Sequence, residues 1–241
     1  MKAGFKLLLI FFLLVGCAGV KPIPQENLNA IHKIGAISIL EDNLKIRYIG
    51  PTIFNNFDED VSVADWKIDK YVVDTLGKEI SENTGMSFQS AKYDIKPLLA
   101  IYEKGNHSDQ IKNELEAISR ENDLDALIFV RREWFQDPIL HDQNVNGYGI
   151  FQRNVIFSRM SAMHIIASVT IYDTKQMTPL CKFYLIDDKQ VDNSYFTKDF
   201  YKLPNEQQDE IETWMKNAIK KELIEELTKY GILQPKKEKQ G

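Results

Sequence analysis

Apolar residues recur along this chain with two periods, and the switch between them marks its elements. Ile34 to Leu40 is apolar at both parities, which predicts a central strand covered on two sides. Glu41-Asp42-Asn43 reads as a turn. Beyond it Leu44, Ile46 and Tyr48 alternate with Lys45 and Arg47, the pattern of a partly exposed partner strand. Ser62 and Asp65 have the spacing of a capping box, and Val61 and Trp66 are placed to form a hydrophobic staple over it. The helix predicted there presents Trp66, Val73, Leu76 and Ile80 on one face, and Gly85 can end it. Met86 to Ala91 is a short strand candidate. Ser108 or Asp109 opens a second helix, with Ile111, Leu115 and Ile118 on one face, and Leu124 to Val130 is a nearly continuous apolar strand.

The second half changes character. Tyr148 to Phe157, Met163 to Tyr172 and Leu180 to Ile186 read as strands with no helix between them. In the middle one, Met163, Ile165, Ala167, Val169 and Ile171 form a period-two apolar face. His164, Ser168, Thr170 and Tyr172 lie on the other, which predicts a sheet only partly covered on that side. Asn205 and Gln208 open a last helix with Ile211, Met215, Ala218, Leu223, Leu227 and Tyr230 inward, and Gly231 ends it. The expected class is α/β with α+β character in the C-terminal half: one mixed β-sheet with packed helices. No internal repeat is present.

The N-terminus follows a different rule. Lys2 and Lys6 precede the apolar run Leu7 to Val15, and Gly16-Cys17 follows at once. Nine apolar residues fall well short of the roughly 20 that a spanning helix needs, but they suit the core of a secretory signal peptide. Leu14-Val15-Gly16-Cys17 resembles the lipobox of bacterial lipoproteins. That resemblance implies diacylglyceryl modification of Cys17, cleavage before it, and usually acylation of the new amino terminus. Two or three acyl chains anchor durably where one does not. Ala18 stands where an Asp would favour retention, so in a Gram-negative cell the resemblance implies the outer membrane, with the body facing the periplasm.

The expected organisation is signal peptide 1–16, lipidated tether 17–32, one α/β domain 33–231 and a charged tail 232–241. The tether reading rests on the proline-containing polar stretch from Ala18 to Ala30. Over residues 33–230 the element order broadly resembles small α/β envelope domains, such as the N-terminal domain of the Tol-system translocation protein or the curli-secretion lipoprotein. No motif accompanies that resemblance, so it carries no functional residues.

Charge narrows the partners. The chain has 30 basic and 35 acidic residues, a formal net charge of −5. A general nucleic-acid binder carries a basic surplus, so nucleic acid is not expected. Loss of Met1 to Gly16 removes two lysines and makes the body more acidic still. Anionic headgroups repel such a body, so the Cys17 lipid must hold the membrane. Cys17 and Cys181 are the only two cysteines. With Cys17 acylated, Cys181 has no intramolecular partner and reads as a buried thiol.

Common catalytic signatures are missing: no G-x-S-x-G, H-E-x-x-H, C-x-x-C or Walker-type loop. No cofactor or metal is expected. His32, His107, His141 and His164 have no helical pairing, and each reads as a solvated loop or satisfied sheet histidine. Asp58-Glu59-Asp60 reads as a solvated acidic loop ahead of a helix, without the alternate-position ligands of a calcium loop. Asp187 and Asp188 point to opposite faces of a strand and cannot share acid/base work.

The site-like material is in loops. Gln136 to Gly147 is long and polar and lies beyond a strand end, where open α/β sheets hold ligands. Arg131, Arg132 and Trp134 lead into it, and His141 lies beside Asp142 within it. Arg131 and Arg132 face opposite ways, so only one serves a given surface. Arginine with an exposed aromatic is an interface composition. Ile53 and Phe54, in Gly50 to Asn56, are either a small core plug or an exposed apolar contact. The candidate binding residues are therefore Arg131, Trp134, His141, Asp142, Ile53 and Phe54. The expected function is a lipid-anchored, non-enzymatic envelope protein that contacts another envelope protein or supports an assembly. The alternatives are a hydrolase acting on envelope substrates, with His141 and Asp142 as its candidate pair, and a carrier of a small ligand in the sheet crevice.

Overall fold

The computed structural model describes residues 20–105, 108–136, 144–155 and 158–235. In chain order these form α1 (Gln25–Asn29), β1 (Lys33–Ile39), β2 (Asn43–Ile49), β3 (Phe57–Ser62), α2 (Ile68–Asn83) and β4 (Ser87–Ser90). Next come α3 (Ile95–Glu103), α4 (Ser108–Glu121), β5 (Ala126–Arg132) and β6 (Trp134–Gln136). The last are β7 (Asn144–Val155), β8 (Ser158–Asp173), β9 (Thr178–Val191) and α5 (Asn205–Lys229). The strands share one mixed sheet, ordered β3-β2-β7-β8-β5-β1-β4, with β9 added on β8 and β6 on β7. The α/β class with one mixed sheet and packed helices is the class expected.

β8 organises the sheet. Along one edge, Ser158–Ile166 pairs with β7 and Ala167–Asp173 pairs with β5. β9 follows the opposite edge from Ser161 to Asp173. The sheet therefore forks at Ile166/Ala167 into two limbs, β5-β1-β4 and β7-β2-β3. Gly147 sits at the fork with φ 62°, a left-handed value glycine takes without cost, and a Cβ there would lie 3.0 Å from Arg132 Cδ.

One face of the sheet is covered by α2 and α5. Ile34, Ala36, Ile128, Val130, Ile165, Val169 and Ile171 pack there with Val72, Leu76 and Ile80 of α2 and Ile211, Met215 and Leu223 of α5. On the other face of the β5-β1-β4 limb, Ile37, Ile39, Leu127 and Phe129 lie under Leu98 of α3 and Leu115 and Ile118 of α4. Each such side chain stabilises the fold by roughly 1.5–3 kcal/mol through burial alone.

Several local expectations are corrected. β1 and β2 do not pair; β2 lies between β3 and β7 in the other limb. Their turn crosses the fork, with Glu41 at φ 63° and paired with Arg132. The capping box does not form, because Ser62 ends β3 and Lys67, at φ 50°, precedes α2. The cap comes from across the fold: Asp42 Oδ1 accepts from Ile68 N at 2.7 Å. In return Asp69 accepts from Leu40 N at 2.8 Å and Glu41 N at 3.1 Å, tying the limb crossing to the helix start. Gly85 is not the stop signal; Thr84 Oγ1 donates to Ile80 O at 2.8 Å instead.

Asp58-Glu59-Asp60 is strand rather than loop. β3 pairs antiparallel with β2, and Lys45 Nζ lies 3.3 Å from Asp58 and 2.8 Å from Asp60. Opposite charges across strands offset the low strand propensity of the acids. α3 was not expected. Asp94 caps it, accepting from Lys96 N at 3.0 Å, and Pro97 falls in the first turn, where a missing N–H costs nothing. The second face of β8 is covered: His164, Ser168 and Thr170 are buried.

Packing also extends beyond residues 33–231. Ile23, Leu28 and Ile31, within the stretch read as tether, join the main core, and Ile23 N donates to Tyr230 O at 3.0 Å. Ile232 and Leu233, read as the start of the tail, are buried as well. α5 forms with the expected face inward, Tyr230 stacks on Phe183 at 5.4 Å, and Gly231, at φ 80°, follows it.

Candidate functional site

The chain on either side of the fork builds an open cleft of about 630 Å³, lined by Tyr102, Ile111, Arg131, Glu133, Trp134, Phe135, Lys182 and Tyr184 among others. Register explains the grouping. Arg131 of β5 pairs with Ser168 of β8, and Ser168 pairs with Tyr184 of β9, so the three stand in a row on one face. β5 then leaves the edge of β8. The chain continues as β6, which pairs with Asn144–Asn146 of β7. The long loop expected from Gln136 to Gly147 thus includes the two arms of a hairpin, and its centre lies outside the described residues.

Charge and aromatic faces alternate in the cleft. Arg131 Nε donates to Ser168 Oγ at 3.2 Å and Nη2 to Glu133 Oε2 at 3.3 Å, and its guanidinium lies 5.6 Å from the Tyr102 ring centroid. Lys182 Nζ lies 3.5 Å from the same Glu133 oxygen and 4.9 Å from the Tyr184 ring centroid. One carboxylate between two cations leaves a single positive charge. Burial, opposed by Arg131, holds the Tyr102 phenol above its ordinary pKa, so the ring stays neutral beside the guanidinium. Trp134 is 55% exposed, Phe135 43% and Tyr184 39%, and Phe135 meets Tyr184 at 6.3 Å.

Arg131 and Trp134, both expected, meet in this cleft. Arg132 turns the other way, as expected, and pairs with Glu41. Ile53 and Phe54 occupy a short 3-10 turn at the far end of β2, with exposures of 78% and 91%. They are exposed and do not form a core plug. Cys17, His107, His141 and Asp142 lie outside the described residues.

Sequence reasoning missed Tyr102, Glu133, Phe135, Lys182 and Tyr184. The outward alternation of Lys182 and Tyr184 on β9 was a usable signal, but only the strand register joins them to Arg131.

Other titratable groups are structural. Burial pushes the Cys181 thiol up to about 12, an unreactive state. His164, read as a satisfied sheet histidine, is fully buried, and neither ring nitrogen makes a hydrogen bond of good geometry, although the Asn146 backbone acts on the ring. Burial lowers its pKa to about 4; the Asn146 backbone opposes this, and the Arg47 and Lys45 cations add to it. Burial raises Asp69 to about 6 despite the donors around it. Among the described residues no group of three potential metal ligands converges, and no helix is long and apolar enough to cross a membrane.

No protein-family model matches the chain, and a search of curated proteins finds no match. Among solved structures it is similar to protein XCC0632 from Xanthomonas campestris, of family DUF330, with 9% identity over 88% of this chain and 90% of that one, at a TM-score of 0.40. It is similar to lipoprotein GNA1162 from Neisseria meningitidis, with 10% identity over 77% and 99% and a TM-score of 0.32. The C-terminal domain of LpoB from Salmonella enterica gives 10% identity over 72% and 87% and a TM-score of 0.28. At these scores none lends its function to this chain.

Proposed function

We propose that this chain is a lipid-anchored cell-envelope protein whose body acts without catalysis, by contacting another envelope protein through the cleft at the fork. The observation that carries the contact is the cleft itself: exposed Trp134, Phe135 and Tyr184 around an Arg131–Glu133–Lys182 ion cluster. Aromatic side chains bury about 150–250 Å² each when covered, which makes them the usual anchors of an interface. Arg131 is already held by Ser168, Glu133 and Tyr102, so little side-chain freedom is lost when a partner covers it. The cleft is open and mixes charges with ring faces, which suits a protein surface better than an enclosed small ligand.

The lipobox resemblance supports the anchor, with Cys17 as its site. The placement of the packed N-terminal segment is compatible with it. His32 immediately precedes β1, and the parallel pairing of β1 with β5 puts Ile34 beside Ala126 and Ile39 beside Arg131. The N-terminal segment and the cleft thus lie at opposite ends of these strands, about 17 Å apart. This separation supports a reading in which an anchor at Cys17 leaves the cleft accessible to a partner. In a Gram-negative cell the proposal places the body at the outer membrane, facing the periplasm. The test is metabolic labelling with a fatty acid, combined with membrane fractionation. The wild-type chain is expected to take up label and sediment with membranes, and Cys17→Ser to do neither. A Cys17→Ser protein that is labelled and sediments as before overturns the anchor.

A further inference from the structure

We infer that the open edge of β9 beside the cleft receives an extended strand of the partner protein, which adds to the sheet antiparallel to β9, with apolar side chains toward Tyr184 and Ile186 and a carboxylate toward Lys182. This deepens the proposed function and rests on reading the cleft as an interaction site.

Among the described residues β9 pairs with β8 alone, so its other side is a sheet edge. Register decides which groups face out. Glu133 N donates to Ile166 O at 3.3 Å, so in this part of β8 the even-numbered residues turn their main chain toward β5 and β7, and the odd-numbered ones toward β9. Ile165, Ala167 and Val169 stand opposite Asp187, Leu185 and Phe183, whose main chain therefore turns inward. The main chain of Lys182, Tyr184, Ile186 and Asp188 turns outward. Two bonds agree with this: Lys182 O accepts from Tyr230 Oη at 3.1 Å, and Asp188 N donates to Asp187 Oδ1 at 2.9 Å.

The same two bonds guard the edge on either side of the cleft, and Pro179, further back, has no N–H to offer. Between the guards Tyr184 and Ile186 each present an N–H and a C=O with no partner among the described residues. An added strand matches such an edge, because an extended backbone repeats its donors and acceptors at the same spacing. Guarding the flanks while leaving this stretch open restricts what can pair there.

Side chains fix the chemistry of the occupant. Cross-strand neighbours stand about 4.5–5.5 Å apart. Tyr184 lies in the cleft, where Phe135 meets its ring at 6.3 Å, so the residues opposite Tyr184 and Ile186 have apolar neighbours to cover. The residue opposite Lys182 meets a net positive cluster, Arg131 and Lys182 against Glu133, and this favours a carboxylate.

The test uses the full-length lipidated protein in phosphatidylcholine vesicles and a labelled synthetic peptide, Thr-Val-Thr-Ile-Thr-Glu, whose Val, Ile and Glu stand opposite Ile186, Tyr184 and Lys182. Fluorescence anisotropy reads binding. N-methylation of Val and Ile removes the amides aimed at β9 and is expected to weaken binding about tenfold; N-methylation of the two inner threonines removes amides aimed away and is expected to change it less than about twofold. Exchange of the peptide's Glu for Lys is expected to weaken binding about fivefold. Ile186→Pro removes an outward N–H and leaves the β8 ladder whole, so it is expected to fold, as circular dichroism checks, and to bind the peptide about tenfold more weakly. The methylated peptides test the wild-type chain whatever that variant does. No measurable binding of the unmodified peptide, equal loss from both methylated forms, undiminished binding of the Lys-containing peptide, or full binding by folded Ile186→Pro overturns the inference. If a photo-crosslinker at position 134 captures its partner protein equally well in folded Ile186→Pro, strand addition falls while the interaction reading stands. If position 134 captures none in the wild type, the interaction reading falls and the inference with it.

Discussion

The two limbs of the sheet share one core face and differ on the other. In β5-β1-β4 that second face is apolar: Ile37, Ile39, Leu127 and Phe129 are sealed by α3 and α4. In β7-β2-β3 the corresponding strands carry Lys45 and Arg47 against Asp58 and Asp60, with His164 buried behind them. One limb is held by burial on both sides. The other carries its charge pairs on β2 and β3 of the second face, beside buried Phe151, Ala162 and His164 of β7 and β8. The proposed contact surface, the cleft at the fork, lies where the first kind of packing ends. Stability and recognition are thus assigned to different parts of one sheet.

The largest effect is expected in the apolar limb. Leu127→Ala leaves a cavity between β5 and its covering helices, and should cost about 2–5 kcal/mol in chemical denaturation. A cost below about 1 kcal/mol would mean the helices collapse onto the sheet and the seal is loose.

The second test concerns His164. Its folded pKa is about 4 and its ordinary value 6.5. The unfolded chain takes up a proton below about 6.5 that the folded histidine refuses until about 4. Its contribution to stability is therefore full above 6.5 and is lost as pH falls to 4, by up to roughly 3 kcal/mol. Asp69, raised to about 6, acts oppositely: its contribution is present at low pH and lost as pH rises from 3.8 to 6. The difference between wild type and His164→Leu isolates the histidine. The variant should gain relative stability as pH drops from 6.5 to 4, and parallel pH profiles would contradict the assignment.

Asp42→Ala removes the side-chain acceptor that caps the start of α2, and should cost about 1 kcal/mol in the same denaturation measurement. Smallest is the charged limb. Lys45→Met should change stability by less than about 1 kcal/mol, with the difference shrinking in high salt. A loss as large as that of Leu127→Ala would erase the distinction between the limbs.

Hydrophobic period made much of the fold legible, whereas the expected capping box and the Gly85 stop did not form. The unbroken apolar runs of β1 and β5, the alternation of β8 and the inward face of α5 all follow from local pattern. What local pattern lacks is long-range pairing. The Glu41-Asp42-Asn43 turn looks like a hairpin because nothing nearby says that β1 and β2 belong to different limbs; Arg132 and Asp69, remote in sequence, decide it. The acidic run became a strand for the same reason, since its partners Lys45 and Arg47 come from another element. At the candidate site, Arg131 and Trp134 were visible as residue types, and Ile53-Phe54 as an apolar turn. Lys182 and Tyr184 joined them only through the β5-β8-β9 register.

The proposal that the anchored body meets its partner at the fork can be probed in living cells. Placing a photo-crosslinking amino acid at position 134 of the full-length protein, in living cells, tests it most directly. A discrete protein adduct is expected with Cys17 intact, greatly reduced with Cys17→Ser. No adduct at position 134, or one of equal yield without the anchor, would contradict it.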